Sequence, residues 1–520
     1  MRTRATRHPD VLVVGAGGSG AVLAARLSED PDREVRVLEA GPVPRRVSEF
    51  PTGLLDARLV PGAQPGHGSV RSYPAHLTPE RPYAVPRGRI LGGSTTVNGG
   101  YFVRARRADF DRWAAHVGDG FWSYERVLPF LRSLETDLDH GAGPLHGGTG
   151  PIRVRRTGVG HPAVAAFGRA AREMGFPEEP DKNAQDPPGF GPLPSNAVGG
   201  QRINTGIAYL LGALGRPNLT VTGGCTVRSV TVSRGRATGV VAEHAGRRFV
   251  VEAGEVVLCA GSFASPQVLH LSGIGPAHDL ARLGVPVVQD LPAVGATFSD
   301  HPQVVMEWTP RRPMAEPSGS WLGGALHLSS SGGPPEGDLE ILQSLVPIAG
   351  LVGGAVAVPG APLPFLVSVL SPRTSGRLST RSADPEVPPR IEYGYLETNG
   401  DRCRMREAVR TTAALIAADA FGEVAAGPAE PGPEILADDR ALDRWIRARL
   451  GTSQHTCGTV PMGPAGAPSA AVDAYGRVHG LSGLRVADTS ILPTAPLRGP
   501  AATAVLVGEL IAHAIRQELG

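Results

Sequence analysis

The chain has 520 residues, 41% of them hydrophobic, and a formal net charge of +2. That length exceeds what one hydrophobic core supports, so at least two domains are expected. The near-balanced charge offers no electrostatic footprint for nucleic acid. Four cysteines, Cys225, Cys259, Cys403 and Cys457, show neither C-x-x-C nor metal-ligand spacing, so neither a disulfide framework nor a metal site is expected.

The stretch Asp10 to Gly41 organises the rest. Val11 to Val14 form a short apolar run, as expected of a buried parallel strand. Gly15-Ala16-Gly17-Gly18-Ser19-Gly20 follows as a G-x-G-x-x-G loop. In such a loop Gly15 permits the tight turn, Gly17 lets backbone approach a pyrophosphate, and Gly20 allows close helix–strand packing. Ala21 to Ser28 reads as a helix whose N-terminal amides can take phosphate. A second strand, Glu34 to Leu38, ends at Glu39, where a carboxylate can accept bonds from ribose hydroxyls. Gly15, Gly17, Ser19, Gly20, Glu39 and Ala40 are therefore candidate dinucleotide contacts. The loop alone does not choose FAD over NAD. The dinucleotide strand begins so close to Met1 that a signal peptide is not expected, and a cytoplasmic location is the default.

Residues 42–80 are rich in Pro, Gly and Arg and read as a long irregular excursion, with His67 and His76 solvated. Gly88 to Asn98, GRILGGSTTVN, is glycine-rich again. Gly92 and Gly93 would allow backbone close to a flat ligand, and Ser94, Thr95 and Asn98 would supply hydrogen bonds. A helix is predicted from Ser123 to Leu134, and strands at 151–156, 219–222 and 227–232. Val256 to Cys259 reads as a strand that ends at Ala260-Gly261 and leads into a helix from Ser265. Ile341 to Pro372 carries no Asp, Glu, Lys or Arg. Pro347, Pro359, Pro362 and Pro364 within it argue against a spanning helix. It is read as a buried strand plus an apolar loop, with an exposed apolar lip for a greasy substrate or a membrane surface as the alternative. A helix starting near Asn399 holds Met405 to Ala418. Leu484 to Ala487 reads as a strand followed by Asp488, and Ala502 to Arg516 as a closing helix.

Gly88 to Asp111, beginning GRILGGSTTVNGGYFVRA, resembles the first signature of the glucose–methanol–choline (GMC) oxidoreductases, and GEVVLCAGSFASPQVLHLSGIGP, Gly254 to Pro276, resembles the second. The resemblance extends to DLPAVGATFSDHP, where Asp300 and His301 are expected to be structural, and to the region 451–516. It implies an α/β fold: a Rossmann-like FAD-binding domain with a parallel sheet, and an α+β substrate domain on a mixed or antiparallel sheet. The expected division is 1–150, 201–302 and 441–520 for the FAD domain and 151–200 and 303–440 for the substrate domain. It also implies FAD contacts at Arg89, Gly92, Gly93, Ser94, Asn98, Gly99, Val227, Ala260, Gly261 and Asp488. Some family members attach FAD through a histidine directly before the asparagine. Here that position is Val97, so non-covalent FAD is expected.

His455 fits the family pattern H-x-x-G-T-x-x-M-G and is the expected catalytic base. Alcohol oxidation removes a hydride from carbon and a proton from oxygen, and an imidazole suits the proton step near neutral pH. Nothing near Cys457 suggests an activated thiolate. The family places a second His or Asn further on, and the matching position here is Gly499, so a second hydrogen bond must come from elsewhere, with Arg498 adjacent. The resemblance implies an FAD-dependent alcohol dehydrogenase passing hydride to flavin N5. GGYFVRA and TSQHTCGT look most like the mycofactocin-associated branch, whose reduced mycofactocin-type substrate and respiratory, non-NAD acceptor would bring peripheral contact with a membrane. A choline dehydrogenase-like or other alcohol oxidase, a non-redox hydroxynitrile-lyase-like protein, and a flavin-binding protein without turnover stay open.

Overall fold

Val11–Val14 is buried at every residue and forms the centre of a five-stranded sheet. The computed structural model describes residues 8–519 apart from 65, 159, 354–357, 359, 374 and 429. The sheet runs Leu219–Thr222, Val35–Leu38, Val11–Val14, Glu255–Leu258, Leu484–Val486, and every pair in it is parallel. Strands buried on both faces need near-continuous apolar sequence, which these have. The helix Gly20–Leu27 lies along the C-terminal helix Ala501–Leu519. A Cβ at Gly508 would stand 2.5 Å from the Ser19 carbonyl oxygen, so glycine sets how closely those helices approach. Because the chain leaves Val11–Val14 toward one neighbour and returns on its other side, a crevice opens at the carboxyl ends of the strands, where dinucleotides bind in such sheets. An antiparallel meander, Cys225–Ser233, Arg236–His244 and Arg247–Glu252, stands beside it.

The second large sheet has nine strands among the described residues. Its order is Ala425–Pro428, Pro302–Pro310, Leu363–Val369, Leu339–Ser344, Leu322–Leu328, Phe190–Ser195, Ile152–Thr157 and Glu135–Asp137, with Gly451–Thr452 pairing on Pro302–Pro310. Pairing is antiparallel except between the last two strands, which makes the sheet mixed. The helix Asn399–Ala417, capped by the Thr398 hydroxyl accepting from the Asp401 N–H, packs on one face over Met306, Trp308 and Phe365. Along Pro302–Pro310 burial alternates strictly, so Gln303 and Val305 point to the opposite face. That face walls the functional cavity.

Four stretches differ from expectation. Within the excursion at 42–80 the segment Val70–Thr78 is a strand, paired with Arg81–Gly88 in a hairpin. Helices Arg107–Val117 and Pro162–Glu173 also lie where none was assigned. The uncharged run at 341–372 holds parts of two buried strands, Leu339–Ser344 and Leu363–Val369, with a short helix Ile348–Leu351 between them; 354–357 and 359 lie outside the described residues. No helix among the described residues is long and apolar enough to cross a membrane.

Candidate functional site

A cavity of about 580 Å³ runs from the carboxyl ends of the parallel strands to the face of the large sheet. At its first end, Gly15 adopts φ +99°, and a Cβ there would lie 2.5 Å from the Cys259 carbonyl oxygen. A Cβ at Gly17 would meet only the Gly93 Cα, at 3.8 Å, while one at Gly93 would stand 2.7 Å from the Gly17 Cα. The two glycine-rich loops therefore touch because neither carries a side chain there. Ser19 does not cap the helix that follows; its hydroxyl donates to the Ala504 carbonyl at 2.6 Å. The helix N-terminus is left for an anion, as phosphate sites require. Glu39 accepts from the Ala16 and Gly41 N–H groups, each at 2.8 Å. Burial pushes its carboxyl up, and those two donors pull it back. Asp488 accepts from Gly261 N–H and the Ser265 hydroxyl on Oδ2 and from Ser490 N–H on Oδ1, tying together the ends of two parallel strands. An open glycine cradle, an uncapped helix N-terminus and an acid at the second strand's end fit a dinucleotide cofactor.

His455 stands where this end meets the sheet face. Gln454, just before it, takes φ +64°, a left-handed conformation uncommon outside glycine. The His455 N–H donates to Asp300 Oδ1 at 2.7 Å; the same oxygen accepts from the His301 N–H at 2.7 Å, and Oδ2 takes the Thr456 hydroxyl at 2.5 Å. His455 Nδ1 lies 2.9 Å from His301 Nδ1, with the rings edge to face. One proton can sit between those nitrogens. His301 is fully buried, and burial first, then the neighbouring His455, pushes it down to about 3, so it is neutral. Its Nε2 has no hydrogen-bond partner among the described residues. When His455 donates through Nδ1–H across that contact, His301 Nδ1 accepts and the lone pair of His455 lies on Nε2, the edge beside Gly499. Burial also lowers the His455 pKa, partly opposed by Asp300 and Glu340, so its ring is neutral at neutral pH.

Of the expected contacts, Gly15, Gly17, Ser19, Glu39, Ala40, Arg89, Gly93, Ser94, Asn98, Gly99, Val227, Ala260, Gly261, His455 and Asp488 all line the cavity. Gly20 and Gly92 do not. A Cβ at Gly20 would fall 2.0 Å from the Gly15 carbonyl oxygen, so it serves the loop's packing. One at Gly92 would fall 2.3 Å from Thr96 Oγ1, and its φ of +87° makes it a turn glycine, with no flat ligand needed to explain it. The side-chain oxygens of Ser94, Thr95 and Asn98 serve their own surroundings, on Gly88 N–H, Gly92 carbonyl and Gly100 N–H. Arg498 cannot stand in at Gly499. It is fully buried and donates to the Leu497 carbonyl at 2.5 Å, with Glu179 3.8 Å away. Gly499 itself faces the cavity, and a Cβ there would lie 3.5 Å from His455 Nε2 and 3.8 Å from Tyr101. Asp300 and His301, expected to be structural, hold the backbone and ring of His455.

Sequence reasoning did not find Tyr101, Gln303, Trp321 or Glu340, which wall the chamber beyond His455. The nearest signal was an acid inside the otherwise uncharged strand Leu339–Ser344. Elsewhere His146 lies among Glu135, Asp137 and Asp181 in metal-like proximity. Arg156 pairs with Asp137 and Asp181, at 2.5 and 2.7 Å, and Arg104 with Glu135 at 2.7 Å. Burial disfavours charge on His146, yet the three carboxylates push it up to about 10. Arginines and a cationic histidine already compensate the charge of this cluster.

The family profile described as GMC oxidoreductase matches residues 9–303 and 372–508 through its N- and C-terminal parts. A GMC-type oxidoreductase of Rhodococcus erythropolis is 40% identical over 96% of this chain and 97% of its own. Oxygen-dependent choline dehydrogenase 1 of Chromohalobacter salexigens is 33% identical over 98% and 95%. The crystal structure of pyridoxine 4-oxidase from Mesorbium loti superposes with a TM-score of 0.90 at 27% identity, covering 98% of this chain and 99% of that one. The chain belongs to the GMC oxidoreductases, FAD-dependent enzymes that act on CH–OH donors.

Proposed function

We propose that this chain oxidises an alcohol to an aldehyde or ketone with His455 as the base that takes the hydroxyl proton. FAD, when bound, supplies the hydride acceptor. The observation that carries the reading is the orientation of His455: Nδ1 is engaged by His301, and the Nε2 edge lies beside Gly499 in the cavity. A neutral imidazole whose free lone pair faces the substrate chamber is the arrangement a general base needs. Gly15, Gly17, Ser19, Glu39, Ala40 and Asp488 hold the adenosine and phosphates in this reading. Arg89, Gly93, Ser94, Asn98, Gly99, Val227, Ala260 and Gly261 complete the cofactor's bed. Anaerobic addition of alcohols bleaches the flavin band if the reading holds; a flavin left oxidised by every alcohol rejects it in favour of a lyase or a silent flavoprotein.

The cofactor is held without a covalent link in this proposal. Val97 occupies the position before Asn98, lies on the cavity wall and has no nucleophilic atom. Acid precipitation should release yellow flavin into the supernatant; colour retained in the pellet refutes it. Glu39→Ala should weaken FAD retention by about tenfold, the worth of one charge-assisted hydrogen bond. Flavin occupancy after serial dilution measures this, and wild-type retention removes Glu39 from the ribose.

The finer reading, oxidation of a reduced mycofactocin-type substrate with electrons passing to a non-NAD acceptor, is supported by the resemblance of GGYFVRA and TSQHTCGT to that branch. The exposed Val358 in the uncharged stretch fits a membrane-side acceptor. Turnover with artificial electron-accepting dyes and none with NAD is the expected pattern; reduction of NAD in the same assay rejects it.

A further inference from the structure

Glu340 is the buried charge of the substrate chamber that the oxidation chemistry leaves unused. It projects from the strand Leu339–Ser344 into a wall it shares with Tyr101 and Gln303 and with the apolar Val305, Trp321, Leu342 and Leu366. Its side chain is 4% exposed. One oxygen, Oε2, takes the Tyr101 hydroxyl at 3.3 Å and His327 Nε2 at 2.9 Å. The other, Oε1, has no hydrogen-bond partner among the described residues. Behind the pair lies a buried cluster in which Lys182, Arg106 and Arg498 stand 2.5, 3.5 and 3.8 Å from Glu179.

The charges of this cluster decide what Glu340 can attract. Burial pushes its carboxyl up, but the His327 bond and the nearby Arg498 hold it below the usual carboxylate range, so it is ionised. Burial, Arg498 and Lys182 push His327 down, so that ring is neutral. Glu179 and Glu340 thus stand among the cations Lys182, Arg106 and Arg498, with Asp109 and Glu336 also bearing on Arg106. Lys182 and Arg498 bear on this cluster and offset part of the Glu340 charge, so a hydrogen-bond donor gains there beyond what charge alone gives. Oε1 is not among the fully buried polar atoms, Glu340 lines the cavity, and a carboxylate oxygen accepts an O–H or N–H there.

We propose that Glu340 is the second anchor of the substrate, accepting a hydrogen bond from a hydroxyl or amine N–H carried at the far end of the alcohol that His455 deprotonates. The preferred substrate is then bifunctional: an oxidisable carbinol, an apolar middle against Leu342, Leu351 and Leu366, and a distal donor. A quaternary ammonium alcohol has charge but no donor and fits this anchor poorly. Tyr101 positions the carboxylate by occupying Oε2 and leaving Oε1 for the substrate.

The inference rests on the oxidation reading above, and the test separates the two. Flavin reduction by the holoenzyme is followed with straight-chain α,ω-diols, with the ω-methoxy alcohols of the same length, and with choline. The diol should exceed its methoxy counterpart by about tenfold to a hundredfold in kcat/KM, because a site built to accept a hydrogen bond rejects the analogue that lacks it. In Glu340→Gln the diol's KM should rise about tenfold while the methoxy alcohol is unchanged, whereas a merely structural role would move both. Equal wild-type rates for diol and methoxy alcohol overturn the anchor without any variant being made, as does choline outcompeting the diols. A ditertiary diol, which cannot be oxidised, reports binding through the flavin absorbance. If no alcohol reduces the flavin but this diol binds more tightly than its methyl ether, the oxidation reading fails and the anchor stands; if the two bind equally, the anchor fails.

Discussion

Replacing His455 with alanine slows flavin reduction by about 10²–10⁴-fold, the usual worth of a positioned general base, and leaves FAD in place. The two effects separate because the cofactor's phosphates are assigned to Gly15, Gly17 and the helix N-terminus, which share the cavity with His455 but do not depend on its ring. Gly499 makes the penalty larger. It has no side chain with which to share the proton, and Arg498 is turned into the protein. The pH dependence has a defined sign. Burial lowers the His455 pKa from 6.5, so the unprotonated, competent form predominates at neutral pH and above. The acid limb of kcat/KM in the wild type should therefore lie below pH 6.5, and it should be absent from the variant. The variant's deficit should also shrink at high pH, where the alcohol loses its proton with less help. Pre-steady-state flavin reduction across pH measures all three features. A variant that reduces its flavin at the wild-type rate removes His455 from the chemistry and leaves only the cofactor site.

The opening β-α-β unit was legible because each signal is local and has a single physical cause. Val11 to Val14 are apolar because both faces of a parallel strand are covered, and Gly15 and Gly20 are glycines because a Cβ at either would strike neighbouring main chain. The hairpin at Val70–Thr78 and Arg81–Gly88 was hidden by Pro74, Pro82 and Pro86, residues that argue against strands. Two of them sit on Arg81–Gly88, the edge strand of its sheet, where a missing N–H costs least. The substrate chamber was illegible for a different reason. Tyr101, Gln303, Trp321 and Glu340 come from distant segments and meet only in the fold, Gln303 and Glu340 on strands of the large sheet, where Ile341 faces Val367 and Glu340 faces Ser368. Their chemistry is created by the fold, whereas that of Gly15 to Gly20 is written in consecutive residues. His301 lies between the two cases. Its motif was visible in SDHP, but its contact with a histidine 154 positions later was not.

His301→Leu should cost about 10²-fold in flavin reduction with FAD occupancy unchanged. The variant removes the acceptor on His455 Nδ1 and keeps an apolar group in a site that is fully buried. Without it, His455 exchanges between tautomers, and the one with the proton on Nε2 cannot accept from the substrate. A catalytic histidine locked in the wrong tautomer loses about 10⁴-fold; one left free to choose loses less. Asp300 still holds the His455 backbone through its N–H and Thr456 through its hydroxyl, so the ring's location survives while its proton placement does not. That separation gives the test its specificity. A change in proton placement lowers the reduction rate and moves the acid limb downward, because His455 without His301 loses the neutral acceptor that supports the proton on its Nδ1 when the ring is charged. Simple misplacement of the ring would lower the rate and leave the limb where it was. His301→Asn, which can still offer a carbonyl oxygen to Nδ1–H, should recover part of the rate. Equal rates in His301→Leu, His301→Asn and the wild type would return His301 to a packing role and leave the tautomer of His455 to other groups.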